Sequence, residues 1–289
     1  MKAKLQEIVE EEASGKGVRL FVLRLDHIHP LWGGNKYFKL KNNLEEAKRL
    51  GKNTILTFGG AFSNHIYAVA AAAAGSGFKS IGMIRGEETL PLNDTLAFAS
   101  GCGMKLEYVS RERYREKQKV LDEWEKTNSL EPVYVLPEGG SNELGVRGCM
   151  EITNEIPVPF DHICCACGTG ATLAGIVLSL KDDQRATGVA VLKQGEFLNG
   201  ELRRWMKVFN SKRENWTLKT EYHFGGYAKA NDELHAFARN IKHEHNIPLD
   251  KVYTAKLFYA VFDLLRKDHF KKGERVIIVH SGGMQDRSE

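Results

Sequence analysis

The sequence predicts an α/β fold of parallel sheets with helices packed on both faces. Short runs rich in β-branched and aromatic residues alternate with helical patterns along almost all of the 289 residues. This alternation is typical of βαβ units, in which a helix connects two parallel strands. In such sheets ligands bind at loops that leave the carboxyl ends of strands, and those loops are therefore the candidate functional sites.

Eight strands are predicted, and each is a short apolar run bounded by turn-forming residues. They lie at residues 19–25, 54–58, 80–84, 105–109, 133–137, 162–167, 188–192 and 275–280. Helical patterns follow the first two strands, at 36–50 and 64–74, and the charged segment 1–17 is predicted as a helix or a tail. We expect a small α/β domain at 48–147 and a large domain formed by 1–47 and 148–289.

The composition excludes several classes of partner. Lys and Arg number 41 against 37 Asp and Glu, a formal net charge of +4, and no long run carries one sign. That balance predicts neither nucleic-acid nor membrane binding. The N-terminal segment lacks the apolar core of a signal peptide, and the odd number of five cysteines fits a reducing compartment. We therefore expect a cytoplasmic protein.

One lysine is placed differently from the others. Lys36 follows two glycines and an asparagine in the run GGNKYFKL, at the start of a helical pattern. Asn35 is predicted as the N-cap, so Lys36 falls in the first helical turn, where the helix dipole favours the neutral amine. Neutral lysine amines attack carbonyls, which makes Lys36 a candidate Schiff-base former. Most helical lysines, by contrast, are solvated charges.

Three later loops contain more glycine and hydroxyl groups than a tight turn requires. The loop at 59–65, GGAFSNH, runs into an Ala-rich helix, and its helix-start amides with Ser63 and Asn64 suit a carboxylate. The loop GTGAT at 168–172 can wrap a phosphate with its backbone amides. The loop SGG at 281–283 places one hydroxyl at the end of a buried strand.

The spacing of these loops argues against nucleotides. No run matches the P-loop pattern G-x-x-x-x-G-K-[ST]. A dinucleotide fingerprint needs glycine at position 173, which is leucine, and an acid near Lys193. A monophosphate site combined with a Schiff-base lysine instead suggests pyridoxal 5′-phosphate (PLP).

Six motifs occur in order along residues 20–283: GGNKYFKL, GGAFSNH, PEGGSNELGVRG, CGTGATLAG, VYTAKL and HSGG. Together they resemble the D-cysteine desulfhydrase/1-aminocyclopropane-1-carboxylate deaminase family, a branch of the fold-type-II PLP enzymes related to tryptophan synthase β. The resemblance implies two open, twisted, mostly parallel sheets with helices on both faces, and PLP in the cleft between two lobes.

The resemblance also implies individual roles. Its cofactor-binding residues are Lys36, which carries PLP as a Schiff base, Lys39, Asn64, Gly168, Thr169, Gly170, Ala171, Thr172 and Ser281. Its substrate-binding residues are Ser63, Asn64, His65, Tyr227, Tyr253 and Thr254. Its catalytic residues are Lys36, Ser63 and Tyr253. We expect a small amino acid as the substrate and a homodimer as the assembly.

Two positions favour the desulfhydrase branch. The deaminase branch has a glutamate after the tyrosine that matches Tyr253, and a leucine at the position of Ser281. This chain has Thr254 and Ser281 there. A hydroxyl beside the pyridine nitrogen leaves the ring a weaker electron sink than a carboxylate would, which suffices for loss of a thiolate. We expect D-cysteine to be converted to pyruvate, ammonia and hydrogen sulfide.

Three alternatives remain open at this point. Within the same family, 1-aminocyclopropane-1-carboxylate can be deaminated to 2-oxobutanoate and ammonia. From another class, the chain can bind PLP without turnover. A zinc site at Cys164 and Cys167 is more distant, because zinc needs four ligands and Cys102 and Cys149 stand singly. Strand alternation also directs Cys164 and Cys165 to opposite faces, so we expect no metal.

Overall fold

The computed structural model describes residues 2–128 and 132–283. The chain divides into two compact units, of which the large unit is Met1–Phe38 with Val146–Glu289 and the small unit is Lys39–Gly145. The small unit begins at Lys39, whereas the small domain expected from the sequence begins at residue 48. Each unit contains one sheet.

The described residues contain ten strands and ten α-helices. The strands are β1 (Lys4–Ile8), β2 (Arg19–Arg24), β3 (Thr54–Gly60), β4 (Lys79–Arg85), β5 (Met104–Val109), β6 (Val133–Leu136), β7 (His162–Cys167), β8 (Arg185–Ala190), β9 (Trp216–Lys219) and β10 (Arg275–His280). The helices are α1 (Glu11–Gly15), α2 (Asn35–Arg49), α3 (Asn64–Gly75), α4 (Asp94–Gly101), α5 (Lys117–Thr127), α6 (Glu143–Cys149), α7 (Ala171–Ser179), α8 (Phe197–Val208), α9 (Asp232–His245) and α10 (Thr254–Arg266). Short 3₁₀ turns occupy 25–27, 113–116, 138–140 and 150–155.

The large unit contains a six-stranded sheet in the order β1-β2-β10-β7-β8-β9. All neighbouring strands run parallel except the β1–β2 pair, which is antiparallel. Two buried apolar clusters cover the sheet, one that includes α7 and α8 and another that includes α9 and α10. The carboxyl ends of β2 and β10 are adjacent, because Arg24 and His280 are paired in the ladder.

The small unit contains a parallel four-stranded sheet in the order β5-β4-β3-β6. One apolar cluster joins β3 and β4 to α5, and α3 packs against β3 and β4. The two mostly parallel sheets with their helices confirm the predicted fold class. Within the described parts of the chain, no helix is both long enough and apolar enough to cross a membrane.

The sequence prediction misses two strands, β1 and β9. The N-terminal segment forms β1 and the short helix α1, so its assignment as a helix or tail was wrong for residues 4–8. Strand β9 was not predicted at all. Both lie at edges of the large sheet, where strands are short and only partly buried, so their apolar periodicity is weak. Strand β8 also begins earlier than predicted, at Arg185 rather than residue 188.

The cysteine-rich strand β7 behaves as a packed core strand. Cys164, Cys165 and Cys167 are buried and reduced. Cys164 packs in the cluster that contains α10, whereas Cys165 and Cys167 pack in the cluster that contains α7. The predicted opposite orientation of Cys164 and Cys165 is therefore confirmed. Burial raises the pKa of the Cys164 thiol, which opposes formation of a metal-binding thiolate.

Lys256 in α10 is a fully buried cation that the sequence did not single out. Its Nζ donates to the carbonyl oxygens of Gly226, at 2.7 Å, and Val191, at 3.3 Å. The first bond connects α10 to the residue before Tyr227, and the second connects it to the residue after β8. Burial lowers the pKa of Lys256 to about 8, and the nearby Asp250 opposes this shift.

Replacing two helical glycines by alanine is expected to change the free energy of unfolding in opposite directions. A Cβ on Gly175 in α7 would lie 2.6 Å from the Val146 carbonyl oxygen, whereas one on Gly200 in α8 would meet no atom within 4 Å. We expect Gly200→Ala to raise the free energy of unfolding by about 0.5–1 kcal/mol through helix propensity. Gly175→Ala should lower it by about 1–3 kcal/mol through overpacking. Urea unfolding of both variants measures these changes, and stabilisation by both would contradict the packing of α7.

Lys256 also predicts a pH dependence of stability. Its pKa of about 8 in the folded chain lies below the ordinary value of 10.5, so between these pH values the unfolded chain binds more protons. The free energy of unfolding should therefore rise with pH in this window through Lys256. We expect the rise to be smaller in Lys256→Met, measured by urea unfolding from pH 7.5 to 10. Parallel pH profiles for the two proteins would contradict it.

Candidate active site

Helix α2 starts against the turn that follows β10. The backbone N–H of Asn35 donates to the Ser281 carbonyl oxygen at 3.1 Å, and the N–H of Gly34 donates to the Leu25 carbonyl oxygen at 2.7 Å. Gly34 has φ +73°, and a Cβ there would lie 2.0 Å from the Ser281 carbonyl oxygen. Glycine is therefore required, and these contacts determine where the first turn, with Lys36, begins.

The side chain of Asn35 connects this turn to the predicted phosphate loop. The sequence predicts Asn35 as the N-cap, but in the structure it is the first residue of α2. Its Nδ2 donates to the Thr172 Oγ1 at 2.9 Å. The amide thus bonds to the start of α7 instead of capping α2, and it joins the lysine turn to the loop Gly168–Thr172.

The loop Gly168–Thr172 has the geometry of an anion receptor. Gly170 has φ +79° and directly precedes α7, and as a glycine it offers no side-chain oxygen to cap that helix. The N–H groups of a helix start and the positive end of its dipole attract phosphate. The loop also approaches an aromatic ring closely, because a Cβ on Gly168 would lie 3.3 Å from Tyr253 Cε1.

Tyr253 and Tyr227 lie together beside this loop. Their hydroxyl oxygens are 3.4 Å apart, and their ring centroids are 6.0 Å apart at 77°. Tyr253 directly precedes α10, and its backbone N–H donates to Asp250 Oδ1 at 2.7 Å. Tyr227 is 44% exposed. The structure therefore places Tyr253 next to Gly168, and Tyr227 next to Tyr253.

Thr254 and Ser281 differ in accessibility. Thr254 is fully buried, and its hydroxyl donates to Asp250 Oδ2 at 2.6 Å while accepting from the Asp250 N–H at 2.7 Å. Its hydroxyl therefore takes part in the hydrogen bonds with Asp250 that cap the start of α10. Ser281 is partly exposed and follows the last residue of β10, beside the lysine turn. Of the two positions that distinguish the family branches, Ser281 is the one whose side chain is accessible.

In the small unit, Ser63 is the N-cap of α3. Its Oγ accepts from the backbone N–H groups of His65, at 3.2 Å, and Ile66, at 3.4 Å. Both bonds use lone pairs of the oxygen, so its proton can still be donated. Asn64 is the first residue of the helix. This predicted carboxylate receptor therefore has a helix start and a hydroxyl donor.

His65 and Lys39 are both buried in the small unit. Thr57 Oγ1 donates to the Leu136 carbonyl oxygen at 2.8 Å and lies 2.9 Å from His65 Nε2. Because the single hydroxyl proton is used, Nε2 must carry the proton of the imidazole ring. Lys39 Nζ donates to the Gly139 carbonyl oxygen at 3.1 Å. Neither side chain is a simple surface charge.

Three residues near the lysine turn were missed by sequence reasoning. Asp26 and His280 lie 3.2 Å apart, next in the chain to the residues that accept hydrogen bonds from the turn, and Asp250 caps α10 before Tyr253. A signal was available for His280, since a polar residue in the apolar run RVIIVH is unusual. Asp26 and Asp250 look like ordinary loop acids in the sequence, and only the fold reveals their burial.

The residues present fit PLP. An uncapped glycine loop at a helix start suits the phosphate, and the close Gly168–Tyr253 approach provides a wall for a flat ring. A lysine in the first turn of the adjoining helix supplies the amine. These groups all belong to the large unit. The fit depends on glycine at positions 34 and 170, because a Cβ on Gly34 would clash with Ser281 and Gly170 has a positive φ.

Comparison with known proteins agrees with this interpretation. The family described as pyridoxal-phosphate dependent enzyme matches residues 7–282. A putative 1-aminocyclopropane-1-carboxylate deaminase of Pyrococcus horikoshii is 33% identical over 87% of this chain and 80% of its own length. A D-cysteine desulfhydrase of Klebsiella pneumoniae is 28% identical over 92% of this chain and 87% of its own length.

A solved structure extends the agreement to the fold. The crystal structure of an ACC deaminase homologue superposes with a TM-score of 0.84 and 28% identity, covering 99% of this chain and 90% of that one. The chain therefore belongs to the family of pyridoxal-phosphate dependent enzymes, in the group whose members are named 1-aminocyclopropane-1-carboxylate deaminase or D-cysteine desulfhydrase.

Proposed function

We propose that this enzyme catalyses β-elimination from D-cysteine to give pyruvate, ammonia and hydrogen sulfide. The main support is the assembly of three turns in the large unit. The turn before Lys36 bonds to Ser281 through the backbone and to Thr172 through the side chain of Asn35. An amine, a phosphate receptor and a hydroxyl are thereby gathered on adjoining segments.

The large unit supplies the groups that would bind PLP. Lys36 would form the covalent link, the loop Gly168–Thr172 would bind the phosphate, and Ser281 would face the pyridine nitrogen. Asn64 and Lys39 of the small unit are proposed for the ring hydroxyl and the phosphate, as the family resemblance implies. When bound, PLP supplies an electron-withdrawing ring that stabilises negative charge on the substrate α-carbon.

The chain's own groups would handle the substrate. The hydroxyl of Ser63 and the start of α3 would bind the substrate carboxylate, with His65 oriented by Thr57 beside them. The Lys36 amine, released when the substrate amine takes its place, would remove the α-proton. Tyr253, with Tyr227 at its hydroxyl, would face the substrate near the leaving thiolate. After the thiolate has left, water would hydrolyse the released 2-aminoacrylate to pyruvate and ammonia.

The choice between thiolate loss and cyclopropane opening rests on Ser281. A hydroxyl from Ser281, with no glutamate at position 254, leaves the pyridine nitrogen less firmly protonated than a carboxylate would, and a thiolate leaves readily without stronger electron withdrawal. Thr254 supports the same choice, because the deaminase branch has a glutamate at this position. The Thr254 hydroxyl itself is bonded to Asp250. The alternative substrate is 1-aminocyclopropane-1-carboxylate.

Replacement of Lys36 tests the assignment of the nucleophile. We expect Lys36→Ala to abolish the visible absorbance band of the PLP-loaded protein and to lower turnover by about 10²–10⁴-fold, the usual contribution of a general acid–base. Lys48→Ala is the matched control, because Lys48 is an exposed lysine in the last turn of the same helix. An unchanged band in Lys36→Ala would refute the assignment.

The substrate assignment is tested with two amino acids. The purified PLP-loaded protein should release sulfide and pyruvate from D-cysteine faster than it forms 2-oxobutanoate from 1-aminocyclopropane-1-carboxylate. Methylene-blue detection of sulfide and a coupled dehydrogenase assay for each keto acid measure the two rates. Formation of 2-oxobutanoate alone would show that Ser281 does not decide the chemistry. A spectrum perturbed by D-cysteine without any product would favour a PLP-binding protein without turnover.

The assembly and the location are further expectations from the sequence. We propose a homodimer in the cytoplasm that acts on a small amino acid, with neither nucleic acid nor membrane as a partner. The formal net charge of +4 without a long basic run supports the absence of a nucleic-acid partner. Light scattering on the purified protein gives its mass in solution, and a mass of one chain would contradict the dimer.

A further inference from the structure

Lys256 is a buried cation that takes no part in the proposed reaction. Its side chain is fully buried, and its Nζ donates to the carbonyl oxygens of Gly226 at 2.7 Å and Val191 at 3.3 Å. Burial lowers the pKa of Lys256 to about 8, so the amine is mostly protonated at pH 7 and acts only as a donor. A buried cation is costly unless it has acceptors, and these two carbonyl groups supply them.

The first acceptor lies in a loop with an unfavourable backbone conformation. This loop, at 224–228, contains Tyr227. Phe224 and Ala228 have φ +50° and +55°, in the left-handed region that residues with side chains rarely adopt. Gly226, between them, has φ +122°. Such a backbone persists only where the surrounding structure holds it, so the contacts of this loop with its neighbours decide where Tyr227 lies.

Two aromatic contacts flank the bond from Lys256 to this loop. The hydroxyl oxygen of Tyr253, three residues before Lys256, lies 3.4 Å from that of Tyr227. The ring of Tyr259, three residues after Lys256, packs edge-on against Phe224, with ring centroids 4.9 Å apart at 87°. Residues three apart lie on the same face of a helix. The loop therefore rests on one face of α10, with the Lys256 amine at the centre of the contact.

The second acceptor, Val191, connects the loop to the carboxyl ends of the central strands. Val191 directly follows β8, and its backbone N–H donates to the carbonyl oxygen of Cys167 at 3.1 Å. Cys167 ends β7 and directly precedes Gly168, where the predicted phosphate loop begins. Lys256 thus bonds both to the loop that contains Tyr227 and to the strand end beside the phosphate loop.

We propose that Lys256 is a positioning residue that holds the loop 224–228 on α10 and thereby places Tyr227 against the substrate; this proposal rests on the proposed function. The amine touches no reacting atom. It acts through Gly226, whose carbonyl directly precedes Tyr227 in the chain. Small misplacement of a group that positions the substrate costs up to about 10²-fold. Because Tyr227 is proposed to contact the substrate and not PLP, the effect is expected mainly in the KM for D-cysteine.

Hydrogen exchange of the PLP-loaded protein, followed by mass spectrometry, tests the loop without any reaction. The N–H groups of Gly226 and Lys229 donate to the carbonyl oxygens of His223 and Gly226. Lys256→Met keeps a long unbranched side chain but removes the donors. We expect the amides of residues 223–229 to exchange about tenfold faster in this variant, as the loss of one hydrogen bond implies. Peptides from β8 should exchange at the wild-type rate.

Sulfide release measures the effect on the reaction. In Lys256→Met we expect the KM for D-cysteine to rise by about tenfold or more, with a smaller change in kcat. Lys16→Met is the matched control, because Lys16 Nζ also donates to two carbonyl oxygens, those of Leu265 and Arg266 at the other end of α10. Its KM and its loop exchange should equal those of the wild type.

Replacement of Tyr227 shows whether Lys256 acts through this residue. If it does, Lys256→Met raises the KM in the wild-type background but changes it little in a Tyr227→Ala background, because the group that it positions is already gone. A general loosening of the large unit would raise the KM by the same factor in both backgrounds. That outcome would overturn the proposal.

Gly226→Ala disturbs the same contact from the side of the loop, in case Lys256→Met does not fold. A side chain at φ +122° is strained, so we expect faster loop exchange and a higher KM here as well. Wild-type exchange and KM in whichever variant folds would overturn this proposal alone. Absence of sulfide release by the wild-type protein would instead refute the proposed function and, with it, the substrate contact of Tyr227.

Discussion

The candidate site depends on the close contact between two backbone turns, the one before α2 and the one after β10. Gly34 comes so near Ser281 that no Cβ fits, and the Asn35 N–H bonds to the Ser281 carbonyl. A contact between backbones leaves little freedom to either partner. The position of Lys36 therefore follows from the parallel pairing of β2 with β10, which brings those strand ends together.

Further buried polar groups fix the segments that carry Tyr253 and Tyr227 in the large unit. Asp250 accepts backbone N–H bonds from Val252, Tyr253 and Thr254, and so it fixes the start of α10 and the backbone of Tyr253. Lys256, one turn later, donates to the carbonyl of Gly226, directly before Tyr227. Because each buried charge requires specific partners, Asp250 and Lys256 orient the segments that carry the two tyrosines more narrowly than apolar packing alone would.

Much of this could be predicted from the sequence. Buried parallel strands consist of apolar runs, so the central strands were predicted, and the glycine-rich loops after them gave the candidate phosphate receptor at 168–172, which the structure joins to the lysine turn through Thr172. The edge strands β1 and β9 were missed because partial burial weakens their pattern. The role of Asn35 was also missed: an asparagine before a helix predicts a cap, and only the tertiary contact with Thr172 diverts its amide. Asp26 and Lys256 gave no local signal, because burial of a charge depends on distant segments.

The central claim is that Lys36 is the amine that binds PLP covalently. The most direct measurement is borohydride reduction of the PLP-loaded protein, followed by proteolysis and mass spectrometry of the peptides. The account predicts the phosphopyridoxyl group on the peptide that contains Lys36, and its disappearance when Lys36 is replaced by alanine. Stoichiometric labelling at Lys39, Lys256 or another lysine, or no labelling of a protein that binds PLP, would contradict it.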